Sequence, residues 1–257
     1  MGKYQTVKSK GPLPVREPTV FPVHAGKRFI VTGGASGLGR SIVALLLAQG
    51  ATVLFVDLDQ ARVDEAVSDF GGAEAGAFGV ALDVAAEASP QAALDATLAA
   101  MGGIDGLVNC AAIVLHADPL QISRRDWQRQ FEVNLFAAYD MVRVAASWMI
   151  EAGVAGAIVN IASEAGKVGH VESMAYSASK AGVINLTRML SQALGPYDIN
   201  VNCVCPGGMA TPMLQEVARA YSAVTSEPAD EIFAFMKDAV LGRHTEPREV
   251  ARTVPSC

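Results

Sequence analysis

Phe29-Ile30-Val31-Thr32-Gly33-Gly34-Ala35-Ser36-Gly37-Leu38-Gly39 is the stretch that decides the fold. Its first four residues form an apolar run of strand length. Beyond the glycines, Ile42, Leu45 and Leu46 fall at helical spacing up to Gly50. A strand that turns through glycines into a helix brings bare backbone and free helix N–H groups to one point. Without Cβ atoms the backbone can approach an anion closely, and a helix N-terminus favours negative charge, so the turn suits a phosphate. Glycine spacing alone is weak evidence; the order strand, turn, helix at the head of a sheet makes it specific.

The rhythm continues outward from this unit. Short apolar runs at Phe29–Thr32, Thr52–Val56, Ala77–Leu82, Gly106–Val108, Ala157–Ile161 and Ile199–Val204 read as strands. Helical periods at Gly37–Gln49, Pro90–Met101, Asp126–Met149 and Met174–Leu194 separate them. Strands apolar on both faces, alternating with helices, predict an α/β fold: a doubly wound parallel sheet covered on both sides, with its ligand crevice at the strands' carboxyl ends. Residues 1–25 carry Pro12, Pro14, Pro18 and Pro22 without either period and are read as an extended arm; residues 26–257 are read as one domain.

Composition excludes other classes. The chain has 257 residues, 51% hydrophobic and 18% charged, which rules out disorder. A net charge of -6 without a basic block argues against nucleic acid as a partner. No apolar run approaches the roughly 18 residues of a membrane span. The first 25 residues have no apolar signal core, and the four cysteines form neither a CxxC pair nor a disulfide framework, so a reducing cytoplasm is expected. Cys203 and Cys205 flank Val204 and should share one face of their strand. His24, His116, His170 and His244 are scattered, and no metal site is expected.

The second strand ends at Asp57, where a carboxylate accepts both hydroxyls of an adenosine ribose and repels a 2′-phosphate. Gly34 stands where a basic side chain would have neutralised that phosphate, so NAD is favoured over NADP. Asp83, closing the third strand, is a candidate for the adenine edge or an ordinary strand-end polar residue. Tyr176 and Lys180 lie four apart on a helix and share a face. An ammonium beside a phenol stabilises the phenolate, and the positive ring of an oxidised nicotinamide acts the same way, making Tyr176 a general acid/base near neutral pH. Ser163, at a strand end, is placed to hydrogen-bond a substrate oxygen.

These residues also carry a resemblance. Thr32-Gly33-x-x-x-Gly37-x-Gly39, Asn109 in Val108-Asn109-Cys110-Ala111-Ala112, Asn134 in Val133-Asn134-Leu135, Ser163, Tyr176-x-x-x-Lys180 and Pro206-Gly207-x-x-x-Thr211 resemble the short-chain dehydrogenase/reductase family, in its order, over roughly Lys27 to Val250. The resemblance implies a Rossmann-like sheet and an oxidoreductase using NAD(H). It casts Tyr176 as proton donor or acceptor and Ser163 as its partner on the substrate oxygen. Lys180 would hold the nicotinamide ribose and depress the phenol's pKa, and Asn134 would hold a water that relays protons from Lys180. Gly33, Ser36, Gly37, Leu38, Gly39, Asp57, Leu58, Asp83, Val84, Asn109, Ala111, Pro206, Gly207 and Thr211 would line the dinucleotide. A homo-oligomer, dimer or tetramer, is implied as well.

The chain departs from the family pattern in two places. Ala112 replaces a glycine beside the cofactor. The chain's last residues stand where the family continues into a further strand, so a sheet without that strand is expected. Glu164, Ala165, Gly166, Lys167, Val168, Gly169 and His170 look like the polar loop of polyol and diol dehydrogenases, making Glu164 and His170, with Ser163 and Tyr176, candidate substrate contacts. Glu172 and Ser173 in the same loop line the pocket or are simple loop polarity. An NADP-linked 3-oxoacyl reductase and a dinucleotide-binding protein without turnover are the alternatives. Residues 212–240, rich in Met and aromatics, are read as a lid or as core, and Ser123-Arg124-Arg125-Asp126 as a helix-opening capping box.

Overall fold

The computed structural model describes residues 22–237 and 241–254. Six parallel strands, β1 (Arg28–Thr32), β2 (Thr52–Asp57), β3 (Ala77–Ala81), β4 (Gly106–Asn109), β5 (Gly156–Ile161) and β6 (Ile199–Val204), form one sheet in the order β3-β2-β1-β4-β5-β6. The order reverses between β1 and β4, and right-handed crossovers leave a crevice there at the carboxyl ends. Every strand lies within a residue of its predicted limits.

The helices are α1 (Gly37–Ala48), α2 (Gln60–Asp69), α3 (Ser89–Met101), α4 (Arg124–Phe131), α5 (Ala137–Ala152), α6 (Ala165–Val168), α7 (Met174–Leu194), α8 (Pro212–Thr225), α9 (Ala229–Phe235) and α10 (Pro247–Ala251). Strand residues alternate between two cores. Val31, Val53, Phe55 and Val159 pack with Leu38, Ile42 and Leu46 of α1, Val63 of α2, and Val250 and Ala251 of α10. Ile30, Leu54, Val56 and Ile158 pack with Leu94 of α3 and Met141, Val142 and Met149 of α5. Burial on both faces is why these strands read as continuous apolar runs.

Helix α2 escaped the reading of the sequence because only Val63 and Ala66 are buried on it; its start rests on Asp59, which accepts from the Ala61 and Arg62 N–H groups. The long helix predicted over Asp126–Met149 opens at Arg124 on the Ser123 cap, whose hydroxyl accepts from Asp126 N–H at 3.0 Å. It is not continuous: a π-helical turn at Glu132–Phe136 separates α4 from α5 and contains Asn134. Cys203 and Cys205 do share a face, with their Sγ atoms 3.9 Å apart. The predicted arm falls mostly on residues outside those described, and the lid region holds α8 and α9, with 238–240 outside.

Amides tie the two layers together across the crevice floor. Asn109 Nδ2 donates to the Ala138 carbonyl and, at 2.9 Å, to Asn160 Oδ1; Asn160 Nδ2 donates to Thr187 Oγ1, which donates to the Val183 carbonyl. This buried chain joins β4, β5, α5 and α7. Truncating its middle leaves Asn109 Nδ2 short of an acceptor, so Asn160→Ala should cost about 2–4 kcal/mol in urea unfolding. A loss below about 0.5 kcal/mol would show that the network does not hold the layers.

Candidate active site

The glycine turn is packed too tightly for side chains. Gly33 has a φ of +68°, and a Cβ there would lie 2.9 Å from Ala111 Cα; one at Gly39 would lie 2.0 Å from the Gly33 carbonyl oxygen. Thr32 Oγ1 accepts from both Cys110 and Ala111 N–H at 3.1 Å, locking the ends of β1 and β4 side by side. Ser36 N-caps α1 without a side-chain cap bond, and the first turn, with Leu38, holds no acidic residue. The bare turn and unopposed N–H groups fit a pyrophosphate.

Asp57 Oδ2 accepts from Ala35 N–H at 3.0 Å and Oδ1 from Leu58 N–H at 2.9 Å, so the carboxylate is fixed at the lip of the turn. A Cβ at Gly34 would lie 2.4 Å from Phe55 Cβ, so no basic side chain fits there unless Phe55 moves. Asp83 is already engaged, by Ala85 N–H at 3.0 Å and the Arg129 guanidinium at 3.0 Å; an adenine amino group would share it. On the opposite wall the Pro206 carbonyl accepts from Glu164 N–H, and Gly207 follows it. Buried Thr211 caps α8 through Leu214 N–H, and its methyl lies 3.9 Å from where a Gly37 Cβ would stand.

Ser163, Tyr176 and Lys180 come together between β5 and α7. The Ser163 hydroxyl is the neighbour that acts against the rise of the Tyr176 phenol's pKa. Ser163 Oγ accepts from Ala165 N–H at 3.2 Å. Gly166 of α6 rests on α7 so closely that a Cβ would lie 2.7 Å from the Lys180 carbonyl carbon, which presses the serine loop onto the tyrosine helix. Lys180 is 2% exposed; its Nζ lies 5.7 Å from the Tyr176 ring centre and donates to the Ile161 carbonyl at 2.8 Å.

The electrostatic balance differs from the sequence expectation. Tyr176 is half-buried, and desolvation by the surrounding protein raises the phenol's pKa above its ordinary 10, with the Ser163 hydroxyl acting in the opposite direction. Desolvation likewise pulls Lys180 down from 10.5 to about 8. Burial is the largest influence on the phenol, so a phenolate at neutral pH needs added positive charge beside it.

Asn134 is engaged through both amide atoms. Its Oδ1 accepts from Ile113 N–H at 2.8 Å, and its Nδ2 donates to the Ile113 carbonyl and to Ser179 Oγ. Beside it is a polar cavity of about 10 Å3, reaching Thr32, Val84, Asn109, Ala111, Asn160 and Lys180. Asn109 Oδ1 is buried there without a partner among the described residues. That is room for about one water, with polar groups to bind it.

Further along, Glu164 Oε1 lies 2.7 Å from His170 Nε2, both half-exposed. Glu172 acts on the Tyr221 phenol of α8, whose pKa it helps to raise while its own is lowered, and the His116 ring stands edge-on to Tyr221 at 5.3 Å. His116, Tyr221, Gln130 and the Asn160–Thr187 pair were not among the site residues expected from sequence. Only Asn160, an amide inside an apolar strand, carried a local signal. Among the described residues no group of three His, Cys, Asp or Glu is placed to hold a metal, and no helix is long and apolar enough to cross a membrane.

A phosphate-binding turn at a sheet's switch point, facing a Ser–Tyr–Lys constellation, defines an α/β nucleotide-binding oxidoreductase. The chain belongs to the short chain dehydrogenase family, whose model matches residues 27–222. It is 37% identical over 229 residues, covering 89% of this chain and 88% of the relative, to the 2,5-dichloro-2,5-cyclohexadiene-1,4-diol dehydrogenase of Sphingobium indicum. It is 38% identical to the D-threitol dehydrogenase of Mycolicibacterium smegmatis, covering 70% and 69% of the two chains. An actinorhodin polyketide ketoreductase crystallised with NADPH superposes with a TM-score of 0.84 at 31% identity, over 93% of this chain and 91% of that one. The chain is thus an oxidoreductase of alcohols or ketones with a nicotinamide dinucleotide.

The lysine makes stability depend on pH in a known direction. Between pH 8 and 10.5 the unfolded chain binds a proton at Lys180 that the folded chain has released, so folding strengthens as pH rises. Denaturant unfolding of cofactor-free Lys180→Met should therefore shift by about 2–4 kcal/mol in the wild type's favour between pH 7 and pH 10.5. A difference independent of pH would contradict the enclosed ammonium.

Proposed function

We propose that the chain is an NAD-dependent dehydrogenase that moves hydride between nicotinamide and a secondary alcohol or ketone, with a small polyol or diol as substrate. The observation that carries this reading is Lys180, enclosed one helical turn from Tyr176 with its Nζ 5.7 Å from the phenol ring centre and with Ser163 beside the tyrosine. Asp57 at the end of β2, and the lack of room for a basic residue at Gly34, support NAD over NADP. Relatives named for a cyclohexadienediol and for threitol support a hydroxylated substrate. The NADPH-holding ketoreductase is the likeness that favours an NADP-linked 3-oxoacyl reductase, against which Asp57 stands.

In oxidation, Ser163 donates its hydroxyl hydrogen to the substrate oxygen, and Tyr176 as phenolate removes the hydroxyl proton while the carbon gives up hydride. Lys180 supplies positive charge beside the phenolate and passes protons toward a water in the Asn109–Asn134 cavity. Gly33, Ser36, Gly37, Leu38 and Gly39 would hold the pyrophosphate, Asp57 and Leu58 the adenosine ribose, Asp83 and Val84 the adenine. Asn109, Ala111, Pro206, Gly207, Thr211, Tyr176 and Lys180 would hold the nicotinamide end. When bound, the dinucleotide supplies the hydride acceptor and a positively charged ring that opposes the cost of a buried phenolate. Reduction runs these steps in reverse.

Helices α8 and α9 would act as a lid over the substrate. Exposed Phe136 at the end of the π-turn, Tyr139 on α5, and Met174 and Met189 on α7 support assembly into a homo-oligomer. Free thiols at Cys110, Cys203 and Cys205 suit a reducing, cytoplasmic setting.

A panel of ketones, diols and sugar alcohols followed by NADH absorbance tests the reading. Tyr176→Phe should lower turnover at least about 1000-fold while NAD affinity stays within a few-fold; retained turnover would remove the tyrosine from the chemistry. Cofactor binding with no turnover on any alcohol or carbonyl would favour the binding protein without catalysis. Asp57→Ala should narrow the preference for NAD over NADP by about 10-fold or more, read as the ratio of kcat/KM values. An unchanged ratio would refute the ribose assignment.

A further inference from the structure

Ser163 is held by a turn rather than by its strand. β5 ends at Ile161, and Ala162 N–H donates to the Val204 carbonyl at 2.8 Å as the last rung of the sheet. Beyond that rung the short helix α6 sets the serine's place. Ser163 Oγ accepts from Ala165 N–H at 3.2 Å, and the Ser163 carbonyl accepts from Gly166 N–H at 3.1 Å. A helix of four residues is not stable by itself, so α6 depends on what it rests against.

Three contacts hold it. Glu164 N–H donates to the Pro206 carbonyl at 2.9 Å, Ala165 is buried, and Gly166 lies on the backbone of α7. The third is the tightest. A Cβ on Gly166 would lie 2.7 Å from the Lys180 carbonyl carbon, 2.8 Å from the Ala181 nitrogen and 2.9 Å from the Lys180 carbonyl oxygen. All three are main-chain atoms inside a 21-residue helix and cannot swing aside as a side chain can. A methyl group there has to lift α6 off α7. The φ of Gly166 is not positive, so space and not conformation demands the glycine. Gly169, which ends α6, is the opposite case: its φ is +79°, and a Cβ there would have nothing within 4 Å.

The contact falls on the residue whose side chain serves the site. Lys180 lies one turn from Tyr176, so the gap at Gly166 sets the spacing between the chain that carries the serine and the helix that carries the tyrosine and lysine. Within α6, Val168 N–H donates to the Glu164 carbonyl and Gly169 N–H to the Ala165 carbonyl, so the turn would move as a unit and take Ser163 with it. Burial, Cys110 and Glu164 raise the Tyr176 phenol, Lys180 stands over its ring, and the Ser163 hydroxyl opposes the rise. That influence acts at short range and weakens as the turn lifts. A misplacement of about 1 Å in a reacting constellation costs on the order of 100-fold in rate.

We propose that Gly166 is a positioning residue for the reaction: the absence of a side chain lets α6 rest on the Lys180–Ala181 backbone and holds the Ser163 hydroxyl in place beside Tyr176. The proposal rests on the dehydrogenase reading above and deepens it. Gly166 acts through the serine alone, so its substitution should matter only while the serine hydroxyl is present.

The test is a double-mutant cycle in the full chain with NAD and cyclohexane-1,2-diol. Gly166→Ala should lower kcat about 10-fold or more and leave the KM for NAD within about threefold. It should also move the acid limb of the kcat/KM profile to higher pH, as Ser163→Ala does. In the Ser163→Ala background the same substitution should cost less than about twofold, because the group it misplaces is gone. A loss of similar size in both backgrounds would make Gly166 merely structural and overturn the proposal. Gly156→Ala, whose Cβ would meet Met149 Sδ at 2.5 Å at the other end of β5, controls for disturbed packing. An equal loss of kcat in that variant would overturn the proposal too. If Gly166→Ala does not fold, Ala165→Gly frees the same turn without adding bulk. Its smaller loss should vanish in the Ser163→Ala background, and persistence there would count against the proposal.

A readout without turnover separates this proposal from the reading beneath it. In protein isotope-labelled at tyrosine Cζ, carbon NMR identifies the Tyr176 resonance by its absence from Tyr176→Phe. At neutral pH and without cofactor, Gly166→Ala should move that resonance in the direction in which Ser163→Ala moves it, and add little in the Ser163→Ala background. That result with no alcohol oxidised by the wild type would sink the dehydrogenase reading and leave the placement of the serine standing. Turnover by the wild type with a resonance indifferent to Gly166→Ala would do the reverse.

Discussion

An ammonium enclosed in protein is tolerated only where its surroundings are arranged for it, and Lys180 sets that requirement for this molecule. Its charge is met by the Ile161 carbonyl at the end of β5, by the face of the Tyr176 ring and by a cavity large enough for one water. Each partner constrains something else. The carbonyl fixes α7 against the strand end, Gly166 must lack a side chain for the serine loop to lie on α7, and the amide chain from Asn109 to Thr187 closes the floor. The lysine's surroundings account for much of how the two halves of the fold meet.

The two walls of the crevice use different physics. One wall is mostly backbone: Gly33 and Gly39 with no room for a Cβ, N–H groups of α1, and one carboxylate pinned by Ala35 and Leu58. The other wall carries titratable side chains, Glu164 with His170 and Glu172 near Tyr221, set on a short loop and on α8. Backbone recognition suits a cofactor common to many enzymes, while side chains on loops can be varied to suit one substrate.

The site was legible to unequal degrees. The strands could be read to within a residue because burial on both faces makes each an unbroken apolar run, and the glycine turn because its conformation excludes other residues. Tyr176 and Lys180 were legible because four residues make one helical turn. The break between α4 and α5 was not, since a π-turn leaves the apolar period nearly intact. Asn134 was recognised as a position, yet its partners, Ile113 and Ser179, come from loops and helices distant in sequence.

Sequence by itself determined the parallel α/β sheet, the phosphate turn, the acidic end of β2 and the serine, tyrosine and lysine, because each depends on local period, chirality or one helical turn. Tertiary structure alone decided that the lysine is enclosed, that burial makes the phenol less acidic, and that His116 meets Tyr221 of α8. Those outcomes depend on desolvation and on contacts between segments about a hundred residues apart. Neither is written in the spacing of residues along a chain.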